Sequence, residues 1–194
     1  MSFPGIPSLD AAVMAFIQTH FHNTVTDTAF PIITSLGEAG IGWIVLSLVL
    51  LCFKKTRRTG GLVLIAMAVT LLFGELTLKN IICRLRPCNV FTDFPMLIAR
   101  PTSYSFPSGH TSSSFAAALI LTLRHKKVGW LAYIPAVLIA FSRIFLFVHY
   151  PTDVLAGILL GTLAALLTYF AAKAIQKRQA EKRTAQIGTV YFDR

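Results

Sequence analysis

Two apolar segments, Gly129–Val148 and Val154–Ala172, are separated only by His149, Tyr150, Pro151, Thr152 and Asp153. Each approaches the roughly 20 residues that a helix needs to cross a bilayer core of about 30 Å. Hydrocarbon offers no partner to open backbone groups, so a chain carrying several such segments must fold as helices. Further apolar stretches occupy Leu9–Phe21 running on toward Phe30–Leu36, Ile41–Phe53, Leu62–Leu85 and Thr111–Leu123. With 55% hydrophobic and 13% charged residues, the sequence predicts an all-α polytopic membrane bundle of about six transmembrane helices. No internal repeat or second domain is visible. Residues 1–194 are therefore expected to form one domain, with a flexible start at 1–8 and a basic cytoplasmic tail at 177–194.

The formal net charge is +10, which by itself invites a nucleic-acid reading. The cations, however, fall in blocks between apolar segments: Lys54–Arg58, Arg124–Lys127 and Lys173–Arg183. That is the positive-inside pattern and predicts that these blocks face the cytoplasm. Basic patches interleaved with aromatics are absent, which excludes nucleic acid as the primary partner. Membrane lipids are the expected surroundings, with anionic headgroups within reach of the tail. With those blocks inside, Lys79–Pro87, Pro107–His110 and Arg143–Asp153 converge on one extracytoplasmic face. Lys79, Arg84, Arg86 and Arg143 run against the charge rule there, so function is the expected reason for keeping them.

The converged residues describe an anion site. Lys79 and Arg86 are seven apart, about two helical turns, and are expected along one stripe. Arg143 adds a second guanidinium suited to bidentate contact with phosphate oxygens. Ser108 is a good helix N-cap, Gly109 permits close backbone approach, and exposed N–H groups at a helix start favour anions. Pro151 should end one helix near Val148 and place Asp153 in the first turn of the next. His149, oriented by Asp153, can then act as a nucleophile toward phosphorus. His110 can protonate the leaving oxygen and afterwards deprotonate water. Taken singly, each cation reads as an interfacial anchor and each histidine as a structural hydrogen bond.

Glu75 and Lys79 are spaced to pair on one helix face. No carboxylate cluster suits Mg²⁺, so no metal or other cofactor is expected. Cys52, Cys83 and Cys88 lack metal-binding spacing; two free thiols are the favoured reading of Cys83 and Cys88, with an extracytoplasmic disulfide between them as the alternative.

Lys79-x6-Arg86-Pro87, Pro107-Ser108-Gly109-His110 and Ser142-Arg143-x5-His149-x3-Asp153 resemble the three-part signature of the type 2 phosphatidic acid phosphatase (PAP2) superfamily. The resemblance implies a PAP2/haloperoxidase-like helical fold and a metal-independent lipid phosphatase. It implies a phosphorylated histidine at His149, a general acid at His110 and an assisting carboxylate at Asp153. Phosphate contacts are implied for Lys79, Arg86, Ser108, Gly109 and Arg143.

The expected protein is a bacterial, multi-pass cell-membrane enzyme whose site faces outward, with a lipid phosphate as substrate. Undecaprenyl pyrophosphate is the favoured lipid, and phosphatidylglycerophosphate or phosphatidate are alternatives. A vanadium haloperoxidase and an anion transporter are the competing functions.

Overall fold

A computed structural model describes the chain at residues 3–192, with side chains described as far as residue 184. The last part of the expected 177–194 tail, from residue 185, therefore has no described side chains, and residues 193 and 194 lie outside the described residues, as do Met1 and Ser2. Among the described residues every regular element is helical: α1 (Ser8–His20), α2 (Thr24–Leu36), α3 (Ile41–Cys52), α4 (Arg57–Thr70), α5 (Lys79–Ile82), α6 (Pro87–Val90), α7 (Gly109–Arg124), α8 (Tyr133–Phe145) and α9 (Pro151–Phe192). A π-helical stretch, Leu71–Leu78, joins α4 to α5. The protein is an all-helical membrane protein. Arg57–Val90 and Pro151–Thr184 are long and apolar enough to cross a membrane, and Thr24–Leu36 with Glu38–Cys52 qualifies as a third span bent by 44°.

α7 is the hub. It packs most extensively on α9, and also on α4 and α8. The reason lies in small side chains, which let helices approach where lipid supplies no hydrophobic drive between them. Ser112, Ala116, Ala117 and Ala118 are buried on α7, facing partners that include the glycines and alanines of α9. Leu155, Leu159, Leu163 and Leu167 recur every four residues on the opposite, exposed stripe of α9, as a lipid-facing surface requires. Gly161 is where the approach is tightest, because an added Cβ would run into the Ser112 carbonyl and the Ala116 amide. Gly161→Val should therefore cost about 2 kcal/mol of stability. A thermal-inactivation scan in detergent checks this, and an unchanged midpoint would contradict the packing.

Two local expectations need correction. The apolar run from Leu9 to Leu36 is not one helix. Asn23 takes an extended conformation, its side chain accepts from the Val25 and Thr26 amides, and the Thr26 hydroxyl accepts from the Asn23 amide. That capping box starts a new helix at Thr24, between the two apolar stretches. The chain bends again between α2 and α3, where Ala39 and Gly40 take positive φ angles.

The second correction concerns the stripe. The helix carrying Lys79 ends at Ile82, and Cys83 adopts a left-handed conformation with φ 51°. Arg86 is extended and is not on Lys79's helix at all. Phe3, within the segment expected to be flexible, is buried against Phe91 and Phe147.

The candidate active site

The turn between α8 and α9 is built by backbone geometry around one carbonyl. Both Val148 and His149 donate their amides to the Arg143 carbonyl, at 3.2 and 3.1 Å. Phe147 takes a positive φ of 60° to make this possible. Pro151 then opens α9, and the Asp153 carboxylate accepts the Tyr150 amide at 2.9 Å, closing the first turn. The predicted break therefore stands, although α8 itself ends at Phe145, slightly before Val148. This fold-back brings Arg143 and His149 together despite their six-residue separation.

Arg86 completes the cluster from the connection between α5 and α6. Its Nε donates to the Ser103 carbonyl at 2.7 Å and one terminal nitrogen donates to the Ser103 hydroxyl at 3.0 Å. The other terminal nitrogen donates to the Val148 carbonyl and to His149 Nε2, both at 2.9 Å. Because a guanidinium only donates, Nε2 must carry the lone pair and Nδ1 the proton. Nδ1 lies 3.4 Å from Asp153 Oδ2, near enough for the carboxylate to act on the ring but too long for a well-formed hydrogen bond. Burial, reinforced by Arg86, Arg143 and Lys79, holds the His149 pKa well below the ordinary histidine value. A depressed value means that the neutral ring persists to lower pH. In a histidine-selective ¹⁵N spectrum followed through a pH titration, His149 should stay neutral where an ordinary histidine is already protonated. A protonated signal there would contradict the geometry.

Lys79 donates to Glu75 at 2.7 Å, as their spacing predicted. Arg143 is buried, and among the described residues its recorded side-chain hydrogen bond is to the Thr34 hydroxyl at 2.5 Å. Three cations face two carboxylates, Glu75 paired with Lys79 and Glu38 at the cavity edge, leaving a positive excess in a low-dielectric setting where such charge acts strongly. His110, on the first turn of α7, brings Nε2 to 3.9 Å from Glu38. A Cβ at Gly109 would run into the Glu75 carboxylate, so any larger residue there would push Glu75 from its present place beside Lys79.

Lys79, Arg86, Gly109, His110, Arg143 and His149 all line one cavity of ≈ 900 Å³. The cavity continues past Ile44, Leu64, Met67 and Leu71, an apolar wall contiguous with the charged end. Ser108 and Asp153 are fully buried and do not line it. The Ser108 hydroxyl makes no capping bond; it accepts from Thr111 at 2.9 Å, and the Ser108 amide donates to the Asp153 carbonyl at 3.1 Å. Cys52, Cys83 and Cys88 are free thiols. Sequence reasoning did not find Thr34, inside α2, or Ser103 and Ser105, in the connection before α7, because an isolated hydroxyl carries no pattern of its own.

A profile of the PAP2 superfamily matches residues 59–177, a span that contains every residue of the cluster read from the sequence. The chain belongs to the PAP2 superfamily. Among its relatives, the "Undecaprenyl-diphosphatase" of Sulfolobus acidocaldarius is 39% identical over 127 residues, 65% of this chain and 61% of that protein. The chain thus matches about six-tenths of that relative's length. The "Bacitracin transport permease protein BcrC" of Bacillus licheniformis is 33% identical over 145 residues, covering 73% of this chain and 71% of that one. Among solved structures, the transmembrane PAP2-type phosphatidylglycerolphosphate phosphatase from Bacillus subtilis superposes with a TM-score of 0.71 at 29% identity, over 89% of each chain. The PAP2 match begins at residue 59, so α1, α2 and α3 lie outside it.

Proposed function

We propose that this PAP2 protein hydrolyses a lipid phosphate through a phosphohistidine on His149. The observation that carries the reading is the 2.9 Å contact of Arg86 with His149 Nε2 at the cationic end of a cavity whose other wall is apolar. A guanidinium at that nitrogen is placed to hold a phosphoryl oxygen while the ring's lone pair meets phosphorus.

His149 Nε2 attacks phosphorus, an N–P bond forms, and the P–O bond to the leaving group breaks. His110 supplies the proton to the departing oxygen. It then takes a proton from water, whose oxygen attacks phosphorus and breaks the N–P bond. Inorganic phosphate leaves and His149 returns to its neutral form. Lys79, Arg86 and Arg143 stabilise the charge spread over the phosphoryl oxygens at both stages. The Gly109 backbone allows close approach, Ser108 supports the helix start from behind, and Asp153 orients His149.

The favoured substrate is a prenyl diphosphate of the undecaprenyl type. It is supported by the name of the Sulfolobus acidocaldarius relative and by an apolar cavity wall suited to a long hydrocarbon. Phosphatidylglycerophosphate is the second reading, supported by the extent of the superposition on the Bacillus subtilis enzyme. Purified protein should release phosphate from undecaprenyl diphosphate with a kcat/KM about tenfold above that for phosphatidylglycerophosphate or phosphatidate. Equal activity on short water-soluble phosphates would overturn the lipid assignment.

The protein is read as a multi-pass bacterial cell-membrane enzyme of about six spans and one domain, with the site outside. Cys83, near the site, and Cys52, near the first basic block, are both exposed. A membrane-impermeant maleimide should label Cys83 in intact cells and Cys52 only after permeabilisation. The reverse pattern would invert the orientation.

A further inference from the structure

Asp10 is fully buried on α1, outside the matched family region, and it is deeply engaged. One of its oxygens accepts the Thr152 amide at 2.9 Å, in the first turn of α9. The other accepts the Thr152 hydroxyl and an Arg84 terminal nitrogen, both at 2.7 Å. The second terminal nitrogen of Arg84 donates to Asp153 Oδ1 at 2.6 Å and to the Thr152 hydroxyl at 2.7 Å. The guanidinium also lies 3.8 Å over the Tyr150 ring. Asp153 Oδ2, the oxygen nearest His149, is held by the Tyr150 amide and the Ser105 hydroxyl.

We propose that Asp10 and Arg84 are positioning residues for His149, acting through Asp153. The inference rests on the phosphatase reading for its kinetic consequence. Its physical content is a charge count. Arg84 alone would neutralise Asp153 and leave nothing to balance the positive charge that the His149 ring gains when Nε2 takes a proton or bonds to phosphorus. The second carboxylate, Asp10, offsets Arg84, so one net negative charge remains beside the ring. Asp10 also ties the first turn of α9, where Asp153 sits, to α1. Loss of a hydrogen bond between charged groups weakens such a network more than loss of a neutral one.

The test compares Asp10→Asn, which keeps the shape and removes the charge, with Met14→Ala. Met14 is fully buried on the same helix and touches none of this network's recorded hydrogen bonds. In the full-length protein, Asp10→Asn should lower kcat about tenfold with KM unchanged. Met14→Ala should lower the thermal midpoint and leave kcat intact. Arg84→Lys keeps the charge but cannot bridge both carboxylates, and it should lower kcat likewise.

The second readout is the His149 Nδ1 resonance in a histidine-selective ¹⁵N spectrum. It should move in Asp10→Asn and stay in place in Met14→Ala. An unmoved resonance, or a kcat loss in Met14→Ala equal to that in Asp10→Asn, overturns the proposal. Should the wild-type protein release no phosphate from any lipid, the phosphatase reading fails, and the resonance alone decides whether Asp10 positions His149.

Discussion

His149→Ala should reduce steady-state turnover by about 10³-fold or more, because it removes the atom to which phosphorus becomes bonded. The substitution leaves Lys79, Arg143 and most of the Arg86 contacts in place. Ser103 and the Val148 carbonyl still hold that guanidinium. Inhibition by inorganic phosphate should therefore persist with a similar concentration dependence. Brief incubation with a substrate radiolabelled at the transferred phosphorus should label wild-type protein and leave His149→Ala unlabelled. Turnover close to wild type in His149→Ala would overturn the mechanism, and label retained in it would move the nucleophile elsewhere.

Arg86→Lys should lower kcat/KM by about 100-fold, because the side chain's value lies in geometry as well as charge. The guanidinium reaches two groups of Ser103, the Val148 carbonyl and His149 Nε2 at once. An ammonium is a point charge with tetrahedral donors and cannot match that planar set. It would leave buried carbonyls short of a donor and the His149 ring without its cationic neighbour. By contrast, Thr34→Val removes one hydroxyl contact to Arg143 and should cost only a few-fold. Kinetics of the two variants on one lipid substrate check the ranking. A lysine that restores most activity at position 86 would show that charge alone suffices there.

Much of the candidate site was legible because its residues announce themselves locally. A proline between a histidine and an aspartate dictates a helix break wherever it stands in the chain. Serine and glycine ahead of an apolar run mark a helix start, and here α7 does begin at Gly109. The Glu75–Lys79 pair follows from helical periodicity and survives the π-helical stretch Leu71–Leu78 that contains Glu75. Arg86 was recognised for a partly wrong reason. The expected stripe does not exist, because Cys83 ends the helix in a left-handed conformation, and free rotation after that point delivers Arg86 to the cavity.

The sequence by itself determined the fold class, the apolar and charged faces, and which residue types gather for chemistry. Hydropathy, prolines and caps act over a few residues, where chain connectivity already limits the choices. Tertiary structure alone decided which groups lie behind the wall and which line it. It withdrew Ser108 and Asp153 from the cavity, set Thr34 against Arg143 and brought Asp10 to Arg84 across 74 positions. Contacts between distant positions leave no periodic trace, because they depend on how α1, α2 and α9 pack. SRIFLFVHYPTD reads in one dimension as a charged turn; in three it is held from behind by a carboxylate at the far end of the chain.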